Sequence, residues 1–220
     1  MLSTWRILEV LQEHEYQDYN AHGDPSYATI ELSCDEIGGL GRQSRMRIVM
    51  QTPHSGTEHN NSDVQAKQAT RLRTEEGSTF TPPFLGYSEY RQDRSRLIPS
   101  GFVTFYAWEV VPGIRLGGYT GWATKFWELD ERQLQAIPDA FQDTFLKLTS
   151  IDIWPEAATA ANLVWNSDTG TLTWVNVRYC ADITPQPWND LWLARFKPVK
   201  VPNNSWAEFG WNSDTSEWKF

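Results

Sequence analysis

The stretch Asn162-Leu-Val-Trp-Asn-Ser-Asp-Thr-Gly-Thr-Leu-Thr-Trp-Val-Asn-Val-Arg178 decides how this chain is read. Two apolar runs, Leu163–Trp165 and Leu172–Val177, flank the polar turn Asn166–Gly170. Alternating apolar residues on either side of an Asp/Gly-containing turn predict a β-hairpin, because glycine and its polar neighbours reach the left-handed conformations that tight turns need. The alternation places Leu163, Trp165, Leu172 and Trp174 on one face, which predicts that this face is core.

Working outward, Lys125–Asp130 precedes a helical pattern with apolar residues at Leu134, Ile137, Phe141, Phe145 and Leu148. Asp130 suits the N-cap, and Gln133 three residues on completes a capping box. Pro138 falls inside this pattern and predicts a kink or a restart. Upstream, Gly101–Val111 (Gly-Phe-Val-Thr-Phe-Tyr-Ala-Trp-Glu-Val-Val) has the aromatic and β-branched content of a buried strand. Pro112-Gly113 ends it sharply. Tyr90–Ser100 reads as a charged, solvated loop, and Asp63–Glu76 as a helix with Val64, Ala69 and Leu72 inward and Ser62 as its N-cap. Met46–Gln51 and Tyr27–Ser33 read as strands, with Gly38–Gly41 as a turn between them. Those glycines lack a following Lys-Ser/Thr, so they make a poor phosphate cradle. Trp5–Tyr16 fits a strand or a short helix equally well.

The order of these motifs resembles the kinase-like phosphotransferases, in the divergent form common among fungal kinase-like proteins. The resemblance covers about Met46 to Arg178. Phe80-Thr-Pro-Pro-Phe-Leu-Gly-Tyr87 is similar to that family's approach to a strand, and Glu109 followed by Pro112-Gly113-Ile114-Arg115-Leu116 is similar to its hinge. The resemblance implies an α+β fold, with a small antiparallel N-terminal sheet and one helix over residues 1–111. A reduced, helical C-terminal lobe follows over 112–220, carrying the hairpin 163–177 and a Trp-rich tail. It also implies that Trp108–Val111 border an inherited nucleotide cleft.

Residue by residue, the resemblance implies a degenerate site. Asn162 matches the metal-binding Asn of the catalytic loop. Asn176 stands where the family has its metal-binding Asp, and Ala157 where it has the catalytic Asp, beside Glu156. Gln51 best matches the phosphate-gripping Lys, and Gln65 or Gln68 its helical Glu partner. Phosphoryl transfer depends on positioning and on charge neutralisation by metal ions. An amide oxygen offers a hard cation only a dipole. The expectation is therefore a pseudoenzyme with no cofactor and no metal, acting as a binding or scaffold protein, with exposed tail tryptophans such as Trp206 or Trp218 as partner anchors. The alternative is a metal-free isomerase or cyclase of specialised metabolism that reuses the cleft for a small apolar molecule. Its candidate catalytic residues are Glu109, Asn176, His54 and Glu156, with Gln51 and Asp152 beside them. A third reading, an active phosphotransferase, would need shifted acids such as Asp152 or Asp182.

Composition narrows the partners. A formal net charge of −9 over 220 residues disfavours binding along a nucleic-acid backbone. No apolar run reaches membrane-spanning length, and the start Met1-Leu-Ser-Thr-Trp5 carries no basic-then-apolar pattern, so a cytoplasmic chain is expected. Cys34 and Cys180 make no disulfide framework, and Cys180 is expected to be a buried thiol. The histidines His14, His22, His54 and His59 show no metal-ligand spacing. Twelve tryptophans are more than an ordinary chain of this length carries, and part of that load must be core. Trp-Asn-Ser-Asp-Thr recurs at 165–169 and 211–215, too few copies for a repeat architecture.

Overall fold

The computed structural model describes residues 4–17, 26–38, 41–54, 80–118, 123–151, 154–155, 159–175, 180–181, 187–196, 199, 214–216 and 218. The expected helix Asp63–Glu76 lies outside them, with Gln65 and Gln68. The chain is α+β and divides into two compact units. The first comprises Met1–Arg71 and Pro83–Val110, and the second Leu72–Pro82 and Val111–Phe220.

The first unit is a five-stranded antiparallel sheet. Its strands are β1 (Thr4–Tyr16), β2 (Tyr27–Ile37), β3 (Gln43–Gln51), β4 (Phe84–Arg91) and β5 (Phe102–Glu109), in the order β1-β2-β3-β5-β4. The ambiguity at Trp5–Tyr16 resolves to strand. Register shifts between Ile7 and Glu9 and between Val10 and Gln12 break its alternation, and this is why the sequence showed no clean period. β2 and β3 are longer than their apolar runs suggested, because Asp35↔Gln43 and Cys34↔Ser44 continue the ladder through polar residues. Gly38 and Gly41 sit at φ 74° and 67° at the β2–β3 turn, a conformation open to glycine without strain.

The two faces of this sheet divide by chemistry. Cross-strand pairs share a face. Leu32, Met46 and Ala107 pair along one row, and Ile30, Ile48 and Phe105 along another, so this face is apolar. Glu31, Arg47 and Tyr106 pair on the opposite, polar face, with Thr29, Val49 and Thr104 beside them. Burial does not follow that division: on the polar face Arg47 is 4% exposed and Thr104 1%, while on the apolar face Leu32 and Ala107 are buried but Met46, Ile48, Met50, Val103 and Phe105 are only half-buried. Periodicity predicts apolar-in and polar-out; this sheet departs from it.

The second unit holds β6 (Ile114–Arg115), α1 (Glu131–Thr149), β7 (Trp154–Pro155), β8 (Leu163–Asn166), β9 (Thr171–Trp174), β10 (Cys180–Ala181) and the short α2 (Leu191–Phe196). β8 and β9 form the predicted hairpin, with Leu163 opposite Trp174 and Trp165 opposite Leu172, and β6 adds to β8. All four inward residues are at most 3% exposed. The Asn166 Oδ1 accepts the Asp168 amide, and Gly170 takes φ 65°, which closes the turn. β9 ends at Trp174, whose amide donates to the Phe80 carbonyl at 2.7 Å rather than continuing a ladder. The expected extension to Val177 reaches residues outside those described.

α1 begins as read: the Asp130 carboxylate accepts the Gln133 amide at 2.9 Å. It runs through Pro138 without restarting. A mid-helix proline costs a helix about 3 kcal/mol or more. Ile137 just before that proline and Phe141, Phe145 and Leu148 after it, all at most 1% exposed, hold the helix against the core. Phe141, Trp174 and Phe196 meet ring to ring at 5.0–5.3 Å, and Trp188 and Trp192 close on Phe145. Part of the tryptophan load is thus core. Trp218 belongs to it at 9% exposure, so it cannot be the exposed anchor the sequence suggested; Trp206 lies outside the described residues.

Candidate functional site

β3 is the strand on which the expected site turns. Gln51 is its last residue, 2% exposed, with its carbonyl accepting the Gln92 side-chain amide at 2.7 Å. Glu109 pairs with Ser44 near the other end of β3, and its amide donates to the Pro83 carbonyl. Seven residues of strand separate Ser44 from Gln51, a span of about 23 Å. The sheet therefore places Gln51 and Glu109 at opposite ends and does not bring them to one small ligand.

Arg47 occupies the position that the sequence reading missed. The expected hinge begins at Trp108, which pairs with Arg45, while Arg47 pairs with Tyr106. Arg45, on the same face, is half-buried, whereas Arg47, four residues before Gln51, is the buried cation of β3. Its guanidinium lies 3.7 Å from the Glu31 carboxylate and 5.4 Å from the centre of the Trp108 ring, which stacks on Tyr106. Arg45-Met-Arg47 inside a strand was the available signal, since alternation sends Arg45 and Arg47 to one face. The resemblance points to Gln51 instead.

His54 lies just beyond the end of β3. Its Nδ1 is 2.8 Å from the Ser26 hydroxyl, which donates to the Gln17 side-chain oxygen at 3.0 Å. A serine–imidazole contact can serve nucleophilic catalysis. Here Ser26 is 1% exposed, so the contact ties strand ends together and offers no nucleophile to a substrate. Asn162 belongs to the second unit, 7% exposed at the end of a single 3-10 turn, and its carbonyl accepts the Val175 amide at 2.8 Å. Glu156, Ala157, Asn176, Asp152 and Asp182 lie outside the described residues. Cys34 is a free, buried thiol whose pKa is raised, first by burial and then by Asp35; the Cys180 side chain is outside the described set.

Among the described residues no group of three or more His, Cys, Asp or Glu side chains is placed to hold a metal, and no helix is long and apolar enough to cross a membrane. No protein-family model matches the chain, and no curated protein does. Solved structures do. The chain is similar to the Cydia pomonella granulovirus kinase PK-1, with 12% identity, a TM-score of 0.47, and coverage of 84% of this chain and 55% of that one. It is also similar to Rad53 residues 1–466 in complex with AMP-PNP, with 11% identity, a TM-score of 0.42, and coverage of 75% and 38%. The chain thus spans about half the length of the granulovirus kinase and less of Rad53.

Proposed function

We propose that this chain is a kinase-like pseudoenzyme that works by binding, as a scaffold, and does not transfer phosphate. The observation that carries this reading is Arg47. It is the buried cation of β3 beside the strand that leads to the expected hinge, and its charge is already engaged by Glu31 and covered by Trp108. Releasing it to a phosphate would leave Glu31 partly buried without its cation, which is costly. The substitutions read from the sequence point the same way: Ala157 and Asn176 stand where the resemblance calls for acids, and Asn162 is kept.

The metal-free isomerase or cyclase is the weaker reading. Two of its candidates, Glu109 and His54, lie toward opposite ends of β3, too far apart to act on one small substrate. Glu156 and Asn176 remain its candidates. The test is incubation with magnesium and γ-labelled ATP, scoring transfer to the chain itself and to casein. The expectation is no label above a heat-denatured control. Label that disappears in Asp152→Asn or Asp182→Asn would overturn the reading in favour of an active phosphotransferase with shifted acids.

A further inference from the structure

One end of the five-stranded sheet is fastened by a polar chain that crosses three strands, all within the first unit. Gln17 follows β1, Ser26 precedes β2, and Pro53 and His54 come just after β3. The Gln17 side-chain nitrogen donates to the Glu15 carboxylate at 2.7 Å and to the Pro53 carbonyl at 3.3 Å. The Ser26 hydroxyl donates to the Gln17 side-chain oxygen at 3.0 Å and lies 2.8 Å from His54 Nδ1. The Thr52 amide donates to the Ser26 carbonyl at 2.9 Å, so Ser26 is held through its backbone as well. One residue inward on β1 and β2, the rings of Tyr16 and Tyr27 stack at 5.0 Å.

The position of each hydrogen in this chain follows from what the groups can do. An ionised carboxylate and a backbone carbonyl only accept. The Gln17 atom that faces both is therefore its nitrogen, and the atom that faces Ser26 is its oxygen. The reversed amide would set an oxygen against the Glu15 carboxylate at 2.7 Å. A serine hydroxyl has one hydrogen to give. Ser26 gives it to Gln17, and at 1% exposure its hydroxyl has no solvent to turn to. The contact between Ser26 and His54 then closes only when the imidazole is the donor.

We propose that Gln17 and Ser26 form a clasp that holds His54 in the Nδ1–H tautomer, which makes Nε2 the basic nitrogen of the ring. Which imidazole nitrogen carries the proton is set by the hydrogen bond the other atoms of the site impose on it. Here Ser26 Oγ, its own hydrogen already committed, imposes an acceptor on Nδ1. Any proton that neutral His54 takes up enters at Nε2, and a polar group that meets Nε2 of the neutral ring has to donate to it. The clasp also ties both ends of the connection between β1 and β2, at Gln17 and Ser26, to the residues that follow β3. This goes beyond the pseudoenzyme reading and is tested apart from it, since no nucleotide enters the experiment.

The experiment is long-range proton–nitrogen correlation NMR on the full chain labelled with nitrogen-15 at histidine, at a pH where the His54 ring is neutral. The His54 signals are identified by their loss in His54→Asn. The expected result is a protonated, pyrrole-type Nδ1 and an unprotonated, pyridine-type Nε2. Ser26→Ala removes the acceptor and should move the pattern toward the opposite tautomer or a mixture. Gln17→Leu leaves the Ser26 hydrogen without its acceptor, so that it turns to Nδ1, and should move the pattern the same way. A pyridine-type Nδ1 or an averaged tautomer in the unaltered chain would overturn the proposal, whether or not the variants fold. An unchanged Nδ1–H pattern in folded Ser26→Ala or Gln17→Leu would overturn it as well, since the tautomer would then owe nothing to the clasp.

Discussion

The indole N–H of Trp174 donates to the Thr144 hydroxyl at 3.0 Å, with Trp174 fully buried and Thr144 8% exposed. Thr144 passes the bond on to the Ala140 carbonyl of its own helix at 2.8 Å. The hairpin β8–β9 is thereby fastened to α1 by a polar chain inside an aromatic core. The arrangement satisfies the one donor that makes tryptophan awkward to bury.

Trp174→Ala should destabilise the chain by about 3–5 kcal/mol, since it opens a cavity among Phe141, Phe145 and Phe196. Trp174→Phe combined with Thr144→Val should show a coupling energy of about 1 kcal/mol in a double-mutant cycle read by urea unfolding. A cost below about 1 kcal/mol for Trp174→Ala would mean that the hairpin faces are assigned wrongly.

Arg47 and Glu31 supply a second test. Arg47→Met leaves the Glu31 carboxylate without its cation and should cost up to about 3 kcal/mol. Glu31→Gln added to Arg47→Met should recover part of that loss. Equal stabilities of the single and double variants in denaturant melts would show that the 3.7 Å contact contributes nothing.

Gln92 pins the loop that closes on Gly101. Gln92→Ala removes the donor to Gln51 and the acceptor for Ile98, both buried contacts, and should cost about 1–3 kcal/mol. Limited proteolysis should then cut within residues 93–100 faster than in the parent chain, and an unchanged cleavage pattern would contradict the pinning. Gly101 cannot compensate, because a Cβ there would meet the Ile98 carbonyl at 2.9 Å.

The hairpin, its faces and the Asp130 cap were legible because each depends on local chemistry: a turn with Asn166 and Gly170, strict alternation, and a carboxylate three residues before an amide. The strands β3 and β5 were legible for the same reason. The site was less so. Gln51 and Glu109 look like neighbours when motifs are laid end to end, but antiparallel pairing sends them to opposite ends of β3. Arg47 was overlooked because its importance comes from Glu31 on β2 and Trp108 on β5, contacts far apart in sequence. The half-buried stretch of the apolar face was invisible for a different reason. Alternation says which residues share a face, and only the three-dimensional packing says which face is covered.

The most direct test of the central claim is the unfolding midpoint of the chain with and without magnesium-ATP. A receptor holding ligand at one hundred times its dissociation constant gains about 2.7 kcal/mol. For a chain of this size that corresponds to a rise of about 5–10 °C. The account predicts no magnesium-dependent shift at millimolar ATP. A clear rise at sub-millimolar ATP that vanishes when magnesium is chelated would contradict it.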